Sequence, residues 1–174
     1  DRAYTGGSSI FIDEDNLKIY FSQNDKLIAA DINDPSSTSE VIDFPSIGFE
    51  QGTVEAVLSS GKVLVTAMHN FTQNVDLFLF SSDFSTYEQL TNYSHTAGSY
   101  GTYNVAVVGD LIYYIVNQGP YGNNFYKIDA SNSLNTKTYL GSLSWTGYGF
   151  KKHEDRIYIL GMDYFGVQDI WQLD

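Results

Sequence analysis

The chain has no cysteine, 9 basic residues against 21 acidic ones, and only three histidines among its 174 residues. Without cysteine there is no disulfide framework and no thiol chemistry. A net charge of −12 removes the basic stripe that DNA, RNA and anionic membranes require, so nucleic-acid binding is excluded. No apolar run approaches the roughly 18 residues of a membrane-spanning helix, so no membrane insertion is expected. The sequence has no G-x-S-x-G elbow and no H-E-x-x-H, and Gly6-Gly7 lacks any phosphate-binding pattern. No metal, no cofactor and no catalytic group are expected, and the chain reads as not an enzyme.

What is present is a repeat. Lys18-Ile19-Tyr20-Phe21, Lys62-Val63-Leu64-Val65, Leu111-Ile112-Tyr113-Tyr114 and Arg156-Ile157-Tyr158-Ile159 each follow a polar turn, with starts 44, 49 and 45 residues apart. A second landmark keeps step with the first. An apolar strand closes on aspartate at Asp31, Asp83, Asp129 and Asp174. A period of about 45 residues with two apolar strands per unit is the spacing of a four-stranded propeller blade.

With the strands of each repeat lettered A to D from the inside out, the first landmark is B and the second C. The A strands are expected at 9–13, 54–58, 103–108 and 147–151, and D strands at 40–44, 87–91 and 137–140. The last repeat lacks a D strand. Asp1-Arg2-Ala3-Tyr4-Thr5-Gly6 matches the third D strand, Thr136-Lys137-Thr138-Tyr139-Leu140-Gly141, with tyrosine and glycine in register. It is expected to supply the missing outer strand, within the chain or between chains, because a propeller leaves an unpaired edge without such closure.

On these landmarks the chain resembles the β-propeller superfamily. The Gly-His and Trp-Asp pairs of Trp-Asp repeats are absent, as are the paired glycines of kelch blades, so no narrower family is matched. The resemblance implies an all-β, four-bladed β-propeller with four antiparallel strands per blade. A single domain would cover 1–174, with repeats over about 7–44, 52–91, 102–141, and 147–174 together with 1–6. It also implies a preferred ligand face, formed by the B–C and D–A loops.

Those loops are the long ones, and long loops of compact domains are where function concentrates. They carry Phe49, His69, Phe71, His95, Tyr100, Tyr121, Trp145, Tyr148, Tyr164 and Phe165 among glycine, serine and asparagine. Aromatic faces stack on sugars, and tyrosine with serine, glycine and asparagine also makes protein-binding surfaces. Loop aromatics that fill the gaps between blades are the structural alternative.

Asp13-Glu14-Asp15-Asn16 offers oxygen ligands for calcium, but aligns with an ordinary A–B turn. The four strand-closing aspartates read as turn formers. A glycosidase would need two facing carboxylates, for which Glu50, Glu55 and Asp163 are the candidates near the ligand face. Asn70-Phe71-Thr72 and Asn92-Tyr93-Ser94 are N-glycosylation acceptors at Asn70 and Asn92. With a first residue of Asp1 rather than Met, the chain reads as processed.

The expectation is an extracellular, secreted binding or assembly module with a glycan or protein partner and possible self-association. The alternatives are a structural subunit of an extracellular fibre joined by strand exchange and, third, a glycoside hydrolase-like enzyme.

Overall fold

Short segments apolar at both phases, separated by Asp, Gly and Ser turns, pair here into a succession of antiparallel meanders. The computed structural model describes residues 10–72, 74–93, 101–117, 123–132, 137–143, 147–154, 156–162 and 168–173. Blade one contains β1 (Ile10–Asp13), β2 (Lys18–Gln23), β3 (Lys26–Asp31) and β4 (Thr38–Asp43) in that spatial order. Blade two contains β5 (Gln51–Val57), β6 (Val63–Met68), β7 (Val75–Phe80) and β8 (Tyr87–Gln89). Blade three contains β9 (Gly101–Val108), β10 (Leu111–Asn117), β11 (Asn123–Asp129) and β12 (Lys137–Leu143). Blade four contains β13 (Gly147–His153), β14 (Arg156–Met162) and β15 (Gln168–Leu173), three strands among the described residues. One parallel pair, Val75 with Gly101, joins the second and third sheets.

The B and C strands fall where the repeat puts them, and the outer boundaries shift. β5 begins at Gln51 rather than 54 because its ladder with β6 runs back to Gln51 opposite Met68. β8 stops at Gln89 rather than 91, since Thr91 leaves the ladder: its hydroxyl accepts from the Leu77 amide (2.9 Å) and donates to Asp76 (2.8 Å). The proposed closing strand at 1–6 and the turn residue Asp174 lie outside the described residues.

Turn chemistry explains the C strands' abrupt ends. The carboxylates of Asp31, Asp83 and Asp129 accept the amides of Asn33 (2.7 Å), Ser85 (3.0 Å) and Ser131 (3.0 Å), each two residues on. These are side chains acting as turn formers. Hydrogen bonds from Ser85 and Ser81 hold the Asp83 carboxyl down at about 2.

The core lies between blades. Tyr20, Leu27 and Ala29 of blade one meet Val54, Val65, Phe78 and Phe80 of blade two. Leu64, Leu77 and Leu79 meet Ile112, Tyr114 and Ile128 of blade three. Ile115 and Phe125 meet Ile159 of blade four. Because blade two is packed on both sides, every residue of β6 and β7 is buried. Polar contacts stitch the same seams. The Ser22 hydroxyl donates to the Gly52 carbonyl, and Ser60 donates through amide (3.1 Å) and hydroxyl (2.8 Å) to the Asp110 carboxylate.

Candidate functional site

The connection from blade one to blade two begins with a single 3-10 turn, Pro45–Ile47, ended by Gly48 in a left-handed conformation (φ 86°). Phe49 and Glu50 then return to the sheet, their amides donating to the carbonyls of Phe44 (3.0 Å) and Met68 (2.9 Å). This places Phe49 beside the loop from β6 to β7, which the His69 amide closes on the Asn74 carbonyl (2.9 Å).

A file of rings results. Phe49 stands edge-on to Phe78 (4.8 Å between centres, 81°) and to His69 (5.9 Å, 83°). His69 in turn lies 5.9 Å from Phe71. The file runs from the core to solvent: Phe78 and Phe49 are buried, His69 is half-buried, and Phe71 is 90% exposed. Thr72 fixes the histidine from the side, its hydroxyl 3.3 Å from Nδ1. Of the sequence-derived aromatic set, Phe49 therefore serves the packing between blades, while Phe71 is presented outward on a braced loop. His95, Tyr100, Tyr121, Trp145, Tyr164 and Phe165 lie outside the described residues, and Tyr148 is described only as a position on β13.

Two features escape sequence reasoning. Asp76 is fully buried in β7 and accepts from the Tyr93 amide (2.6 Å) and the Thr91 hydroxyl (2.8 Å). Asn74, also fully buried, donates to the Tyr93 carbonyl (2.6 Å). Together they clamp the segment leaving β8 against the β6–β7 loop. The signal is an aspartate within the apolar strand Val75-Asp76-Leu77-Phe78-Leu79-Phe80, since a buried polar side chain requires dedicated partners.

The second feature is a recurring bulge. The inner strands β5, β9 and β13 each carry one residue with no opposite number on the B strand: Glu55, Asn104 and Tyr148. Bulges re-aim side chains, and they gather near binding sites. Asn104 adopts φ 54°, and its side-chain oxygen sits 3.0 Å from the point where a Cβ on Gly149 would lie. The Glu55 carboxylate is half-buried and accepts from the hydroxyls of Thr66 (2.8 Å) and Thr53 (3.1 Å). Glu50 is exposed, and Asp163 lies outside the described residues.

Asn70 and Asn92 are both exposed. At the opposite end, an open cleft of about 580 Å³ lies between the A–B turns of blades one and two. It includes Asp13, Glu14 and Asp15. Asp13 is buried there and accepts from the amide (3.2 Å) and side chain (2.8 Å) of Asn16, a turn-forming arrangement. No group of three or more His, Asp or Glu side chains able to hold a metal occurs among the described residues. Nor, among those residues, is any helix long and apolar enough to cross a membrane.

No protein-family model matches the sequence, and no curated protein matches it. Solved structures do match. A chain from the crystal structure of a nidogen/laminin complex superposes with a TM-score of 0.60 at 14% identity, over 98% of this chain and 65% of that one. Regucalcin from Agrobacterium tumefaciens, described as a calcium-binding protein, gives 0.56 at 14% identity, over 95% and 59%. The fold is that of a β-propeller. This chain spans about three-fifths to two-thirds of the length of either propeller chain, and at such identity the likeness extends to the fold alone.

Proposed function

We propose that this chain is a secreted, non-enzymatic binding module that engages a protein through the loop face of its blades, with Phe71 as anchor. The observation that carries the reading is the ring file itself. A phenylalanine 90% exposed costs solvation without stabilising the fold, yet its loop is braced from the core outward through His69, Phe49 and Phe78. Rigid aromatic side chains presented in this way lose little entropy on binding and supply large apolar area, which is how interface hot spots behave. That one propeller neighbour comes from a complex of two proteins is consistent with the reading.

Phe71 lies within the acceptor triplet whose Asn70 is exposed, so a glycan carried there would border the anchor. A panel of purified secreted proteins and a glycan array, probed with the native chain and with Phe71→Ser, tests the proposal. A protein ligand that Phe71→Ser weakens about 30-fold, with melting unchanged, supports it. Binding insensitive to Phe71→Ser, or binding to sugars alone, overturns it.

A further inference from the structure

The first sheet is apolar on both sides and covered on one. Phe11, Tyr20 and Ala29 form one cross-strand row and turn toward blade two. The other face carries Ile10, Phe21 and Ile28 in one row, with Ile12 and Ile19 beside them. Ile10 is 65% exposed and Ile12 55%, and the other three are only half-buried. In blade two the counterparts of β2 and β3, β6 and β7, are buried at every position, and the counterpart of β1, β5, has no exposed residue, because a blade lies against each face. Blade four shows the mirror condition. Phe150, Ile159 and Leu173 face blade three, whereas Leu160 and Ile170, a cross-strand pair on the far side, are exposed.

We propose that the outer face of blade one is a blade-to-blade interface, and that its occupant is a further propeller blade of the same polypeptide rather than a second copy of this chain. Two observations select this occupant. The exposed surface has the row-by-row apolar pattern of the seams already filled in this structure: the row Ile10–Phe21–Ile28 ends on Glu40 of the outer strand as Leu64–Leu79 ends on Glu88. Four blades also align with only 65% of one propeller chain and 59% of another, so a ring of that curvature has room for about two more. That room corresponds to about 90 residues at the usual blade length. A second four-bladed copy exceeds it.

The test compares Ile12→Asp in this 174-residue chain and in the full-length polypeptide as its gene encodes it. In the full-length protein the charge would enter a buried seam and lower the melting temperature by roughly 5 to 15 °C. In the 174-residue chain it would change melting by less than about 2 °C and reduce binding of a hydrophobic dye. Ile12→Ser, a milder change, repeats the comparison should the aspartate variant fail to fold. Equal effects in both polypeptides, no effect in the full-length one, or absence of dye binding by the unmodified chain would overturn the proposal. So would a stable dimer of the 174-residue chain that Ile12→Asp dissociates, which would make the second copy the occupant.

Discussion

The ammonium nitrogen of Lys137 sits 3.9 Å from the centre of the Tyr126 ring, closer than any other cation–ring contact among the described residues. The same nitrogen donates to the Tyr93 hydroxyl (2.8 Å) and lies 5.8 Å from the Tyr114 ring. Tyr93 belongs to the segment leaving blade two, and the other three residues belong to blade three, so this cluster is a seam. Lys137→Met keeps the stem and removes the charge. It is expected to cost about 1 kcal/mol, the worth of a partly desolvated cation–π contact and one hydrogen bond, read as a shift in urea midpoint at pH 7.

The cluster also bears on stability at alkaline pH. Burial holds the Lys137 amine below its ordinary range and, as the leading cause, pushes the Tyr93 and Tyr114 phenols well above theirs. From the lowered lysine value up to 10.5 the unfolded chain holds the extra proton, so stability rises with pH through that window. The tyrosines act oppositely. Their contribution is fully present below 10.0, and it is lost as pH rises toward their raised folded values, because the unfolded phenols ionise first. Two phenols outweigh one amine, so urea midpoints from pH 7 to 11.5 should fall steeply above pH 10. Tyr93→Phe and Tyr114→Phe should each flatten the fall.

Tyr114→Phe makes a separate point at neutral pH. The Tyr114 hydroxyl is buried, and the Tyr93 phenol that neighbours it does not complete a hydrogen bond of ordinary geometry. An unsatisfied buried hydroxyl costs about 1–3 kcal/mol, so the phenylalanine variant should match or exceed the native stability by up to about 1 kcal/mol. A loss above about 1 kcal/mol in equilibrium unfolding would show that the hydroxyl is satisfied in solution.

The B and C strands were legible because their signal is local: an apolar run, a polar turn and an aspartate, repeated four times. The bulges at Glu55, Asn104 and Tyr148 were not, because a bulge is a relation of register between two strands and leaves no mark in either one alone. Phe49 and Phe71 illustrate the same limit. Both sit in loops rich in small polar residues, yet the Glu50 amide tied to Met68 turns Phe49 inward, whereas Phe71 lies at the tip of the closed β6–β7 loop. The tie that turns Phe49 inward joins residues far apart in the sequence, Glu50 and Met68, and so leaves no local mark.

That difference separates the two phenylalanines experimentally. Phe49→Ala empties a site lined by Phe78 and His69 and should cost about 3–5 kcal/mol in chemical denaturation. Phe71→Ala should stay within about 0.5 kcal/mol of the native protein. Equal losses would mean that Phe71 packs against the fold and is no free anchor.

A close approach between strands and loop lies at Gly52. A Cβ there would fall 2.5 Å from the Phe44 ring and into the Thr66 carbonyl, while the Gly52 carbonyl receives the Ser22 hydroxyl from blade one. Neither neighbour has room to move: Phe44 is fully buried, and Thr66 belongs to the closed ladder of β6. Gly52→Ala therefore forces β5 away from β6 just where the ring file begins. The expected cost is about 3 kcal/mol, the upper range for overpacking a core, measured by thermal or urea unfolding. The displaced strand carries the Glu50–Met68 tie with it, so Phe49 and then His69 should lose their support. Gly52→Ala should consequently weaken ligand binding at Phe71 even under conditions where the variant stays folded, whereas Gly61→Ala, where a Cβ meets nothing within 4 Å, should alter stability through its left-handed turn and leave binding intact.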